Sequence, residues 1–267
     1  MYRFLLTPRW LGMLAVVLVA AAGMVQLGNW QLGRYQERTA ANDRIDAAEK
    51  LPPAALAEVL PAPPDGAGSV GQAPPKERAW TRVTATGRYD SGNVVLVRGR
   101  TVTGRVGFEV VMPLVLDDGS AVLIDRGWIP QPPGDATAQP TVPPAPTGQV
   151  TVVGRIHLSE SADRISRRDG RIETRRIAVP QLAGQLPYPV YGAYLLLDEQ
   201  TPPADPAFTA IPIGHENNWQ NGGYVLQWWI FAGMAPIGFA WLAHREARDR
   251  RAAGAGRATE SAPVPSA

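Results

Sequence analysis

The chain has no cysteine. That excludes disulfides, thiolate metal sites and a cysteine nucleophile together, and with them copper transfer through paired thiols. Histidine is scarce too. His157, His215 and His244 are the only three, and no two share a metal-ligand spacing, so no zinc or other metal centre is expected. No hydrolase elbow, P-loop or dinucleotide glycine fingerprint stands in its strand–loop–helix context. Nothing repeats at a fixed period. The middle of the chain lacks a charge surplus: Arg44 to Gly223 holds 17 Lys and Arg against 19 Asp and Glu. A nucleic-acid binder would concentrate positive charge there, so nucleic acid is not an expected partner.

The surplus of positive charge sits at the two ends, next to two apolar runs. Tyr224 to Ala243 (YVLQWWIFAGMAPIGFAWLA) has no charged residue and one polar interruption, Gln227. As a helix rising 1.5 Å per residue, it crosses the roughly 30 Å hydrocarbon layer of a bilayer. Five Arg follow Ala243, against three acids, whereas the 15 residues from Thr209 to Gly223 contain neither Lys nor Arg. That asymmetry assigns the C-terminal tail to the cytoplasm. Trp10 to Leu27 (WLGMLAVVLVAAAGMVQL) is the second run, preceded by Arg3 and Arg9. Ala20-Ala21-Ala22 resembles a signal-peptide cleavage site, but the apolar stretch continues past it to Leu27. Read as two spans, the chain is a multi-pass protein of the cell membrane with both termini cytoplasmic. Its parts are a cytoplasmic N-terminus (1–9), a first transmembrane helix (10–27), a stalk (28–53), a flexible linker (54–79), an extracytoplasmic domain (80–223), a second transmembrane helix (224–243) and a basic tail (244–267). Trp10 and Trp241 fall at the inner interface, and Trp30, Trp228 and Trp229 at the outer one, where indole rings favour the headgroup level. Pro236 is expected to bend the second helix.

Asn29 to Lys50 is polar and rich in helix formers, and reads as a helical stalk ended by Pro52-Pro53. Pro61 to Ala79 is linker-like by composition. From Trp80 onward the pattern turns to strands. Trp80 to Tyr89 alternates. Asn93 to Val102 and Val106 to Leu116 follow, then Asp117-Asp118-Gly119-Ser120 forms a turn before Ala121 to Ile129. Pro130 to Gln149 holds seven prolines and reads as an extended loop. Val150 to Leu158 and Tyr191 to Asp198 are further strands, with a possible strand pair around Asp169-Gly170 and a short helix over Pro180 to Leu186. The fold class is therefore two transmembrane α-helices flanking a mainly antiparallel β domain, either a sandwich or a partly open barrel.

Few residues suggest chemistry. Asp117-Asp118 and Asp198-Glu199 read as turn and strand-end acids rather than a catalytic pair, so no catalytic residue is assigned. The glycines from Gly99 to Gly107 fit hairpin geometry. Arg167-Arg168 and Arg175-Arg176 read as a solvated face. The informative positions are amides at the outer membrane edge. Gln227 lies about one turn inside the second span, and Gln26 and Gln31 bracket the outer end of the first. A buried amide without a partner costs about 2–7 kcal/mol, so each should meet the other helix, water or a ligand. Trp228-Trp229 reads equally as an interfacial belt or a cofactor wall.

Several segments together resemble one family. Leu27-Gly28-Asn29-Trp30-Gln31-Leu32-Gly33-Arg34 is similar to its motif at the exit of the first span, and Arg82 to Tyr89 to its RVxxxGxY strand. Gly107 to Leu114, followed by Asp125-Arg126-Gly127-Trp128-Ile129-Pro130, resembles its PL…RGWxP hairpin. Tyr224-Val225-Leu226-Gln227-Trp228-Trp229 looks like the YAxQW start of its second span. The family is the surfeit-locus family of cytochrome c oxidase assembly factors. The resemblance implies assembly work on haem-copper oxidase rather than enzymatic turnover, with haem a delivery or stabilisation of an assembly intermediate as the role. The implied partners are cytochrome c oxidase subunits, the catalytic haem-bearing subunit first, together with membrane lipid. It also implies that Trp30, Gln31, Tyr224, Gln227 and Trp228 contact haem or pair the helices. Family members proposed to ligate haem carry a histidine three residues before the YAxQW tyrosine, where this chain has Asn221. His215 is then the possible axial ligand, its alternative being an ordinary exposed loop residue, with Met24, Met234 and Tyr224 as further candidates. The competing functional reading is a two-span protein whose β domain binds an extracytoplasmic ligand or partner without an oxidase role.

Overall fold

Two long helices begin and end the chain, and a mixed sheet lies between them in sequence. A computed structural model describes residues 3–134, 138–215 and 217–260, leaving aside the side chains of 253–260. The first two residues of the N-terminal segment, 135–137 of the proline-rich loop, 216, and the last seven of the basic tail lie outside the described residues. The chain divides into two compact units, Met1–Ala41 with Glu216–Ala267, and Asn42–His215.

The first unit is built on two helices, α1 (Pro8–Lys50) and α4 (Trp219–Glu260). Both are long and apolar enough to cross a membrane. Helix α1 runs without a break from the apolar segment into the polar stretch expected as a stalk, and its last residues belong to the second unit. Helix α4 continues through Pro236 and through the first part of the basic tail.

The second unit is a five-stranded closed barrel with added strands. Its elements are β1 (Ala54–Ala55), α2 (Leu56–Val59), β2 (Arg82–Tyr89), β3 (Val95–Val102), β4 (Arg105–Leu116), β5 (Ala121–Pro130), β6 (Val150–Leu158), β7 (Ser166–Arg168), β8 (Arg171–Thr174), α3 (Val179–Ala183) and β9 (Val190–Thr201). The strand order β2-β6-β9-β5-β4 closes because β2 also pairs with β4. Of the two expected architectures the barrel is the one that forms, and it is fully closed, so the edges of a sandwich are absent from its ring. The sheet is mixed. Strands β1 and β2, β3 and β8, and β5 and β9 pair in parallel, the remaining pairs antiparallel. The β5–β9 pair requires the chain to cross over through β6 to α3 before it returns, which short hairpin signals cannot reveal.

The turns follow their residues. Thr103-Gly104 and Asp169-Gly170 each join two strands with both residues in the left-handed region, the geometry of two-residue hairpins. At the β4–β5 turn, Gly119 sits at φ 82°, and Asp118 Oδ1 accepts from the Ser120 backbone N–H at 2.9 Å.

Alternate residues of the barrel strands fill its interior: Val83 and Ala85, Val122 and Ile124, Val150 and Val152, Tyr191, Ala193 and Leu195. Leu56 and Leu60 join this cluster. Segment 54–79, expected as a flexible linker, is therefore packed. Its β1 extends β2, Leu60 is 1% exposed, and Val70 bridges to Val190. Proline and glycine give the segment linker composition, but two buried leucines anchor it. A second cluster, including Leu123, Ile177, Val179, Leu182 and Tyr194, covers the outer face of β5 and β9. A third packs Leu96, Phe108, Val110 and Ile129 under Val142, Ala145 and Phe208. Strand β5 is covered on both sides, which is why it is almost continuously apolar instead of alternating.

Charged groups are also enclosed. Arg126 is 2% exposed and lies between the rings of Tyr89 and Phe208, at 5.0 and 4.8 Å. Its guanidinium donates to the Pro143 and Pro144 carbonyls of the proline-rich loop. Arg100 bridges two acids. It holds Glu160 with two bonds of 2.7 and 2.8 Å, and its Nε meets Glu109 at 2.8 Å as an ion pair rather than an aligned hydrogen bond. Burial pushes the Glu109 carboxyl up to about 7, with Arg100 pulling against that shift and Glu160 adding to it. Asp125 is buried nearby, and burial, then the charge of Glu109, raises it well above the usual carboxylate range.

Two outcomes are expected. Leu60→Ala should lower stability by about 2–5 kcal/mol, the cost of a core cavity, read as the shift of the urea midpoint of barrel unfolding. An exposed linker leucine would cost almost nothing. Glu109 titrates near 4.5 when unfolded and about 7 when folded. Between those values the folded protein holds a proton that the unfolded chain has released, so this stability is full below about 4.5 and is lost as pH rises through about 7. Glu109→Gln should flatten the fall in thermal midpoint over that window. A variant with the wild-type slope would clear Glu109 of responsibility.

Candidate functional site

The pairing of α1 and α4 engages Gln31 directly and leaves the other sequence-predicted residues of the pair beside the contact or exposed. The helices run antiparallel. At one end Trp10 is 9% exposed and packs edge-on against Phe4 at 5.1 Å and Phe239 at 5.7 Å, with Ala243 and Ala247 beside it. Trp10 therefore faces the partner helix at this end of the pair. Trp241 is exposed and carries Arg245 over its ring at 5.7 Å. Midway, Gly28 lies against Trp229: a Cβ built on Gly28 would stand 2.5 Å from the indole. The helices approach closely there because that position has no side chain.

Beyond this contact the pair is joined by polar groups. Asn221 Nδ2 donates to Gln31 Oε1 at 2.8 Å. Gly222 lies against the Tyr35 ring. Asn218 Nδ2 donates to Thr39 Oγ1 at 2.8 Å, and Arg38 donates to the Asn217 carbonyl at 2.8 Å. A ladder of amides and a hydroxyl thus ties the start of α4 to the middle of α1. In a low-dielectric setting, satisfied bonds of this kind fix the register of a helix pair.

The other predicted residues stand outside the ladder. Gln227 is exposed and makes no hydrogen bond among the described residues, so the amide pair between helices forms at Gln31 and Asn221 instead. Gln26 is likewise exposed. Trp30 is 61% and Tyr224 40% exposed. Trp228 is half-buried, edge-on to Phe231 at 6.3 Å. Sequence reasoning missed Asn221, Asn218 and Thr39 as pairing residues. The signal was available: Asn218 and Asn221 stand one helical turn apart, immediately before the apolar run.

The resemblance implies haem a, and the two positions it points to, Asn221 and His215, are each engaged with another side chain. Asn221 occupies the ligand position with its amide engaged by Gln31. His215 belongs to the barrel unit, where Nε2 sits 2.7 Å from Asp46 Oδ1. His157 is also in the barrel, with Nδ1 3.0 Å from the Tyr194 hydroxyl. The first unit's one histidine, His244, lies in the basic half of α4. The acids considered for catalysis are structural. Asp118 caps its turn, and Asp198 bridges Arg82 at 3.2 Å and Arg155 at 3.0 Å. Among the described residues no group of three His, Asp or Glu could hold a metal ion.

A family model described as the SURF1 family matches residues 18–233. The chain is 33% identical to an uncharacterized SURF1-like protein of Mycobacterium bovis, over 98% of this chain and 93% of that one. An uncharacterized SURF1-like protein of Mycobacterium tuberculosis matches to the same extent. A SURF1-like protein of Dictyostelium discoideum is 30% identical over 102 residues, 38% of this chain and 37% of that protein. With the family model spanning both helices and the barrel, the chain belongs to the SURF1 family.

Proposed function

We propose that this protein is an integral membrane assembly factor for haem-copper cytochrome c oxidase, and that it stabilises an assembly intermediate through its helix pair without ligating haem iron. Family membership supports the oxidase assignment. Membrane insertion is supported by the row of apolar side chains that α1 and α4 leave uncovered. Val16, Val19, Leu226 and Ile237 are each more than 60% exposed, an arrangement that water penalises and hydrocarbon accepts. The basic ends support a topology with both termini in the cytoplasm and the barrel outside the membrane.

The observation that carries the mechanism is the Asn221–Gln31 bond. It holds the two helices in register at the position where the family resemblance expects a ligand, and it consumes the Asn221 amide. Around it Trp30, Tyr224, Gln227 and Trp229 remain accessible on the pair. Those side chains offer flat amphipathic rings and one free amide to a partner helix, the combination by which polar groups guide helix association in lipid. The partner is an oxidase subunit, the haem-bearing one first, with haem seated on that subunit.

The test is complementation of a deletion strain. Deletion should lower mature oxidase, and the wild-type chain should restore it. Asn221→Leu should restore it several-fold less well, because it unties the pair. Gln227→Leu should leave the pair intact, since Gln227 has no partner within it, and should weaken co-purification of oxidase subunits. Unchanged oxidase in the deletion strain would remove the assignment. A stoichiometric Soret band in protein purified from cells that synthesise haem a, abolished by His215→Ala, would overturn the reading without iron ligation.

A further inference from the structure

The barrel unit carries a cavity of about 270 Å³ whose charges do not balance. Arg44, Lys76, Trp80, His157 and Glu160 line it. Glu160 is the one acid among them, and it is already committed: it holds Arg100 with two bonds and accepts the Ile177 backbone N–H at 2.9 Å. Among the described residues neither Arg44 nor Lys76 has an ion-pair partner. Arg44 Nε is enclosed and makes no hydrogen bond. Glu77 lines the neighbouring cavity with Arg44 but forms no ion pair with it. Enclosed guanidinium donors normally find acceptors, because an unmade bond to a charged group costs more than about 1–3 kcal/mol.

A second observation points to the same cavity. Trp80 has φ 72°, a left-handed conformation that bulky residues rarely adopt. The conformation is held by its backbone N–H, which donates to the Ile156 carbonyl at 2.8 Å, and by its indole, edge-on to His157 at 4.8 Å. Strain of this kind persists where surroundings fix it, and here it keeps an indole on the cavity wall. His157 is fixed in turn by the Tyr194 hydroxyl at Nδ1, and among the described residues Nε2 makes no hydrogen bond. Burial holds the imidazole below its usual range, so at neutral pH it is an uncharged group beside two cations.

We propose that this cavity binds a phosphate group, with Arg44 and Lys76 as its cationic ligands and Trp80 as its wall. A planar guanidinium donates two parallel bonds and an ammonium adds a mobile point charge, a pairing suited to a tetrahedral anion with several acceptors. The volume suits a phosphate ester or a lipid head group rather than a nucleotide. The site lies within the barrel unit and does not depend on the oxidase reading.

The two sources of phosphate separate experimentally. Full-length protein in maltoside detergent is titrated with inorganic phosphate against chloride at fixed ionic strength and followed by tryptophan fluorescence. In parallel, added phosphatidylglycerol is measured by native mass spectrometry. Arg44→Gln and Lys76→Gln should each weaken binding about tenfold or more, with unchanged thermal midpoints, whereas Arg88→Gln, which removes an exposed charge elsewhere on the barrel, should have no effect. Saturable inorganic phosphate binding with this pattern assigns a soluble source. Retention of phosphatidylglycerol alone, with the same pattern, assigns a head group. Absence of both, or equal losses in Arg88→Gln, overturns the site. Should Arg44→Gln fail to fold, Lys76→Gln alone decides.

Discussion

Everything in the barrel depends on one strand pairing on both of its edges. At Gly87, β2 is bonded across to Val150 on one side and to Leu116 on the other. A side chain there would place its Cβ 2.3 Å from the Val115 carbonyl oxygen. Only glycine lets the two neighbours approach closely enough to close the ring. Closure turns alternate residues of five strands into one interior and leaves no ring edge to pair with another chain. It also decides what must happen outside. A small barrel has little interior, so the long strands β4 and β5 need cover on their outer faces, and α3 and the proline-rich loop supply it.

That division explains which parts of the fold were legible. Hairpins were, because their turns are local: Asp-Gly at 169–170 and the turn at 117–120 announce themselves through residues that tolerate positive φ. The short helix at Val179–Ala183 followed from local pattern too. Non-local facts were not. Nothing in the apolar run of β5 indicates that its neighbour is the parallel strand β9. Nothing in the prolines of 61–79 reveals that Leu56 and Leu60 enter the barrel, since composition measures the average of a segment and two anchors decide its fate. The enclosed charges were equally hidden. Arg100, Glu109 and Glu160 are 60 residues apart at the extremes, and a sequence shows no reason for them to meet.

The helix pair was legible to a finer degree, and its error is instructive. Length and hydropathy identify both helices, but the close approach falls at Gly28 under Trp229, a position no local signal singles out. Of the three amides expected to meet the other helix, water or a ligand, Gln31 joins the pair and Gln227 does not. A helix has faces, however, and position along it does not tell which face an amide occupies. Asn221 lies six residues earlier and faces α1, whereas Gln227 does not. Choosing between them needs the contact at Gly28, which fixes the rotation of one helix against the other.

The motifs that carry the family resemblance are largely occupied with folding. Arg126 of the RGW segment is clamped between Tyr89 and Phe208, so the RVxxxGxY strand and the RGW hairpin specify two ends of one buried contact. Trp128 donates its indole N–H to the Arg100 carbonyl at 3.0 Å and pairs with Thr209. Gly87 closes the ring. Such residues hold the barrel together. Specific recognition must then fall to side chains the fold leaves uncommitted. In this chain those are the rings and amide around the Asn221–Gln31 bond and the unpaired cations of the barrel cavity. Neither set completes the core, closes the ring or caps a turn, so the fold gives no account of why these residue types stand where they do. Recognition does.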